Sequence, residues 1–168
     1  MGFVVNGKKE YFLVMSPQTI TSYWTASLID DFVEYAINKY NVDKNRVYLT
    51  GLSLGGNGTW SSAYHPKNQP NKYAAIAPIA AWGDRTKGCV IAEHGIPVWA
   101  FHGDKDQTVA VSSGKAMVDA VNNCTTPVAN PQALFTVYAG VAHNSWDRAY
   151  TTDHSYQNPN LYEWLLGN

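Results

Sequence analysis

Four short runs in this chain, "NRVYLTG", "YAAIAPIAAW", "IPVWAFHG" and "ALFTVYAG", are apolar almost without interruption. A strand with one face in water alternates apolar and polar residues, so runs like these belong to strands covered on both faces. Stretches with helical spacing separate them. "WTASLIDDFVEYAINKYN" sets Leu28, Phe32, Tyr35 and Ala36 at helical intervals, with Ile29, Val33, Ile37 and Tyr40 beside them, behind Thr25 or Ser27 as the cap. "GGNGTWSSAY" and "SSGKAMVDAVNN" read as further helices, the latter capped by Ser112 or Ser113. "NPNLYEWLLGN" reads as a closing helix with Pro159 near its first turn and Gly167 near its end. An earlier apolar run, "YFLVMSP" from Tyr11 to Pro17, is stopped by a Ser-Pro pair and reads as one more buried strand. Strand and helix alternate throughout, which predicts an α/β fold: a mostly parallel sheet flanked by helices, in a single domain over residues 1–168.

Composition narrows the functions such a layer can serve. A net charge of −1 across 168 residues gives no electrostatic footprint for nucleic acid or an acidic membrane surface. No apolar run approaches the roughly 20 residues that cross a bilayer. "MGFVVNGKKEYFLV" has no basic start, long apolar stretch or small-residue cleavage site, so it is not laid out as a signal peptide. Cys89 and Cys124 show no CxxC spacing and are too few for zinc, so no metal is expected; two free thiols and one disulfide both remain open.

In open parallel sheets, ligands gather beyond the carboxyl ends of the strands. Three residues there carry chemistry. Ser53 lies within Gly51-Leu52-Ser53-Leu54-Gly55, between a strand and a helix. A nucleophile on so tight a turn needs small neighbours two residues before and two after, and glycine stands at both. The Leu54 amide, at the start of the helix, then faces the place where an oxyanion forms. A dinucleotide-binding turn is disfavoured, because Ser53 replaces the middle glycine that G-x-G-x-x-G requires. Asp104 and Asp106 follow the strand "IPVWAFHG", and Asp106 is better spaced to reach a histidine on the neighbouring strand. His143 follows the last strand in "YAGVAHNSW". His102, inside a strand end, reads as a packed residue, and His65, His94 and His154 lie in connections.

The segments "RVYLTGLSLGGNGTW", "PVWAFHGDKDQTV" and "VYAGVAHNSWDRAY", with their Ser…Asp…His order, resemble the α/β-hydrolase superfamily. The similarity points to its small esterase branch, that of dienelactone hydrolases, phospholipase/carboxylesterases and "predicted peptidase" esterases. It implies Ser53 as nucleophile, Asp106 as acid, His143 as base and the Leu54 amide as one oxyanion donor, with no cofactor. The family's earlier strand, ending in a His-Gly-Gly-like loop that gives the second oxyanion amide, has no counterpart before "YFLVMSP". The resemblance therefore implies an N-terminally truncated fold, or a piece of a longer enzyme, lacking a strand between "YFLVMSP" and "NRVYLTG".

The expected activity is hydrolysis of carboxylic esters with short acyl groups, since no lid insertion separates the strands. Trp82 and Trp146 are the candidates to line the mouth of the site, and polar loops with scattered Trp and Tyr suit a small-molecule or carbohydrate-linked ester. Amide cleavage ranks below ester cleavage, and the competing class is a hydrolase-like binding domain without turnover. Low charge content fits a secreted bacterial enzyme whose export signal lies upstream of Met1.

Overall fold

A computed structural model describes residues 2–65 and 72–168. Its elements are β1 (Gly2–Val5), β2 (Lys8–Tyr11), α1 (Ala26–Lys39), β3 (Tyr48–Leu52), α2 (Leu54–Ala63), β4 (Ala75–Ile79), α3 (Gly88–Glu93), β5 (Trp99–Gly103), α4 (Val111–Asn122), β6 (Leu134–Tyr138), α5 (Trp146–Ala149) and α6 (Leu161–Gly167). Strands β3, β4, β5 and β6 form one sheet in that order, and every pair is parallel. Parallel neighbours need a crossover, and α2, α3 and α4 supply those connections.

The two covered faces show in the alternation along β4. Ala75, Ala77 and Ile79 pack with Phe101, Leu161 and Leu165 in one core. Ile76 points the other way, into a core with Ile29, Trp60, Ile91, Met117 and Val121. The predicted sandwich of helices around a parallel sheet is therefore present, and β4 and β5 are buried along their whole length.

Pro78 interrupts this otherwise regular sheet. The Ile76 amide donates to the Pro97 carbonyl at 2.9 Å and the Ala80 amide to the Phe101 carbonyl at 2.8 Å. Residue 78 falls between them, where an N–H would face the Trp99 carbonyl, and proline has no N–H to give. The β4–β5 register accordingly reduces to Ile79 against Phe101, with an isolated bridge between Ile76 and Val98.

Several expectations are corrected. "YFLVMSP" is not a buried strand: β2 ends at Tyr11, and Leu13 and Val14 are 58% and 75% exposed. The segment pairs with no strand of the main sheet, and only Phe12, whose ring meets those of Phe3, Tyr48 and Tyr162, and Met15 are half-buried among its apolar residues. Lys8–Tyr11 instead forms an antiparallel hairpin with β1, which the sequence reading did not anticipate. On α1, Thr25 is the cap, accepting from the Leu28 amide at 3.2 Å, and Ile29 and Val33 make the buried face while Leu28 and Tyr35 face out. Helix α4 begins one residue earlier than expected, with Ala110 at its cap position and no side-chain cap from Ser112 or Ser113. The closing helix α6 has a full capping box: Asn160 accepts from the Tyr162 and Glu163 amides, and Glu163 accepts from the Asn160 amide.

Cys89 and Cys124 are joined in a disulfide that ties α3 to the residue pair following α4. Cross-linking positions 35 residues apart removes unfolded-state freedom equivalent to roughly 3–4 kcal/mol. Replacing both cysteines by alanine is expected to lower the melting temperature by about 10 °C. A calorimetric scan of the double variant checks this; an unchanged melting temperature would show that the cross-link adds nothing.

Candidate active site

Ser53 sits between the end of β3 and the start of α2 with φ 51° and ψ −116°. That left-handed conformation is costly for a residue with a side chain. It is held by the Ser53 amide donating to the Ile79 carbonyl on β4 at 2.9 Å, and by the Ser53 carbonyl accepting from the Asn57 amide at 2.9 Å. The glycines around it divide the work differently from expectation. A Cβ at Gly51 would collide with the backbone of Gly55, and one at Gly56 would stand 2.6 Å from the Ala81 Cβ. A Cβ at Gly55 would meet nothing within 4 Å. The tight approach thus requires Gly51 and Gly56, while Gly55 contributes only its backbone.

The turn brings the Ser53 Oγ to 2.9 Å from the His143 Nε2, and the His143 Nδ1 lies 2.8 Å from the Asp106 Oδ2. His143 lies in the loop after β6, and Asp106 in the turn after β5. These loops are themselves joined: the Lys105 amide donates to the Val141 carbonyl at 2.9 Å, and the Asp104 carboxylate accepts from the Gly140 amide at 2.7 Å. Asp104 therefore braces the loop that carries His143, and Asp106 is the carboxylate that reaches the imidazole.

The Asp106 side chain is fully buried. Burial alone pushes its carboxyl up, yet the net shift is below the usual carboxylate value. The bond from His143 and the amides of Val109 and Thr108, each 2.9 Å from Oδ1, outweigh the desolvation.

Leu54 is the first residue of α2, and the leading amides of a helix have no partner within it. Beside it opens a cavity of about 450 Å³ lined by Ser53, Leu54, Trp82, Thr108, Val109 and Ala110, with Ser113 at its edge. Trp82 is held there by the Asn57 amide, which donates to its carbonyl at 3.0 Å. Trp146 does not line this cavity. Its ring stands edge-on to His143, with centroids 5.2 Å apart, so it buttresses the imidazole. Sequence reasoning passed over Thr108, Val109 and Ser113. The signal available for Thr108 and Val109 was their place in the connection after β5, and for Ser113 its place in the first turn of the helix that follows. Among the described residues, no group of three or more His, Cys, Asp or Glu side chains is placed to hold a metal ion, and no helix is long and apolar enough to cross a membrane.

Two predictions follow from this geometry. Gly51→Ala is expected to cost about 2 kcal/mol or more through overpacking, whereas Gly55→Ala stays within about 1 kcal/mol of the parent. Urea denaturation of the pair tests it, and equal effects would contradict the asymmetry. The depressed Asp106 carboxyl stabilises the fold above the unfolded carboxylate pKa, and that contribution fades as pH falls below about 4 toward the folded value. Asp106→Asn, which cannot titrate, should lose less stability than the parent between about pH 5 and pH 3. Melting temperatures across that range measure the difference, and parallel curves would refute it.

A family model for phospholipase/carboxylesterase matches residues 18–153. A bifunctional acetylxylan esterase/xylanase, XynS20E of Neocallimastix patriciarum, is 36% identical over 87 residues, which is 51% of this chain and 12% of that protein. Feruloyl esterase D of Neurospora crassa is 29% identical over 93 residues, 55% of this chain and 30% of that protein. Among solved structures, a thermostable esterase aligns with a TM-score of 0.60 at 27% identity, covering 84% of this chain and 36% of its own. A dienelactone hydrolase from Klebsiella pneumoniae, at 21% identity and a TM-score of 0.56, shares the fold over 77% of this chain and 53% of its own. The chain thus spans less than a third of the curated relatives it matches. With a parallel sheet flanked by helices and a family match across most of its length, the chain belongs to the phospholipase/carboxylesterase family of α/β-hydrolases.

Proposed function

We propose that this chain is a serine esterase that cleaves carboxylic esters of short acyl groups through Ser53, His143 and Asp106. The observation that carries the reading is the unbroken line of hydrogen-bond contacts from the Ser53 Oγ through both imidazole nitrogens to the Asp106 Oδ2. His143 takes the Ser53 proton as the oxygen attacks the ester carbonyl, and Asp106 holds the tautomer and stabilises the imidazolium. The Leu54 amide donates to the developing oxyanion. His143 returns the proton to the leaving alcohol, giving an acyl-enzyme, and then activates the water that releases the acid.

The cavity supports the substrate class. Leu54, Val109, Ala110 and Trp82 give it an apolar lining of modest size, suited to a small acyl group. An adjoining basin of about 660 Å³ shares Trp82 and Ser113 with it and adds Asp84, Arg85, Thr86 and Ser112. Such polar groups suit a hydroxylated remainder of the substrate, and two relatives are named as an acetylxylan esterase and a feruloyl esterase. A carbohydrate-linked ester is therefore the reading favoured here.

Treatment with a fluorophosphonate followed by intact-mass measurement tests the mechanism. One adduct is expected on the parent and none on Ser53→Ala. No adduct on a folded parent would overturn the esterase reading in favour of a binding domain. Asp106→Asn should reduce turnover of a small acetyl ester by roughly 10³- to 10⁴-fold. A loss below tenfold would remove Asp106 from its role.

A further inference from the structure

His102 lies on β5 with only 1% of its surface exposed, and nothing in the esterase mechanism uses it. Its Nε2 is 2.9 Å from the Val109 carbonyl oxygen and 3.3 Å from the Asp106 Oδ2. Both neighbours can only accept, so Nε2 carries the proton, directed at the Val109 carbonyl with the carboxylate oxygen beside it. Burying an imidazole is costly unless its polar atoms are satisfied, and this bond is what offsets the cost at Nε2.

We propose that His102 is a positioning residue for Asp106: it pins the 106–109 turn to β5 and so keeps the carboxylate aimed at His143. The inference rests on the triad reading above. Val109 is held on both sides, its carbonyl by His102 and its amide by the Asp106 Oδ1. The Thr108 amide holds the same oxygen, while Oδ2 is flanked by His102 and His143. Rotation of the carboxylate would break contacts at both oxygens at once. The imidazole itself has little freedom. A Cβ at Gly114 on α4 would lie 2.6 Å from its Nδ1, and the Phe135 ring of β6 meets it at a steep angle, 6.3 Å between centroids. Strand, turn and helix thus converge on one side chain, and that side chain transmits the position of β5 to the acid.

The test compares His102→Gln, His102→Asn and His102→Leu in the full chain. Glutamine carries an amide N–H to about the position of Nε2, asparagine stops one bond short, and leucine has no donor. The readouts are the downfield proton resonance of the His143 Nδ1–H, kcat and KM on 4-nitrophenyl acetate, and melting temperature. With His102→Gln the resonance is expected to persist and kcat to stay within about threefold. With His102→Asn and His102→Leu the resonance should be lost and kcat should fall about 10- to 100-fold, the scale of a displaced catalytic group, with KM within twofold. Equal kcat in the Gln and Asn variants would overturn the proposal. So would a His102→Leu variant that keeps resonance and kcat while only its melting temperature drops. If His102→Leu does not fold, the Gln–Asn comparison decides. Absence of Ser53-dependent turnover in the parent would overturn the triad reading instead; the resonance, which needs no substrate, then judges His102 by itself.

Discussion

Ser53 occupies a backbone conformation that a side-chain-bearing residue avoids, and the surrounding structure is arranged so that it has no other choice. Its amide is bound to β4, its carbonyl starts α2, and the chain on either side passes close enough that Gly51 and Gly56 admit no Cβ. A turn relaxed by even one torsion would swing the Oγ away from His143. The strain is sustained by packing elsewhere, chiefly by the buried β4 and by Trp60 of α2 in the core beneath. Everything proposed for the site presupposes this turn.

The partners of Ser53 come from the far side of the sheet and are held by a different kind of contact. Loops after β5 and β6 are stitched to one another by backbone amides and by Asp104, and Asp106 is held by two further amides. These are short-range, water-excluded bonds to a carboxylate, which is why its charge survives complete burial. Trp146 stands edge-on to His143, whose imidazole stays partly exposed. The imidazole is thereby oriented before any substrate arrives, an arrangement suited to electrostatic preorganisation.

How much of this was legible in the sequence varied with the kind of constraint. Nearly unbroken apolar runs marked β3 to β6 as strands of a parallel sheet, and the family was legible in the motifs. Only β4 and β5 are covered on both faces, however. β3 and β6 are sheet edges with Leu52, Leu134 and Val137 exposed, so apolar composition overstated their burial. The three strand-end residues were legible because parallel topology collects them in one place. "YFLVMSP" misled for a related reason: apolar composition signals burial only when a partner exists, and this segment pairs with no strand of the sheet, whose edge is β3. The roles of Gly55 and Trp146 depend on which atoms meet across the turn and the loop, distances that spacing along the chain does not encode. His102 was read as packed, and it is buried; its contact with the acid turn arises from a fold-back of seven residues that only coordinates reveal. The pairing of Cys89 with Cys124 likewise depended on how α3 lies against α4.

Pro78 gives the sheet a seam. To one side lie β3 and β4, which carry and brace Ser53; to the other lie β5 and β6, whose loops carry Asp106 and His143. Across that line the backbone ladder is interrupted at residue 78, and the two halves share apolar cores in which Ile79 packs with Phe101 on one face and Ile76 with Val98 on the other. The bond from Ser53 to His143 spans the same line at the upper rim. The spacing between hydroxyl and imidazole therefore depends on how the two half-sheets pack against one another, as well as on the turn and loops that carry the two groups.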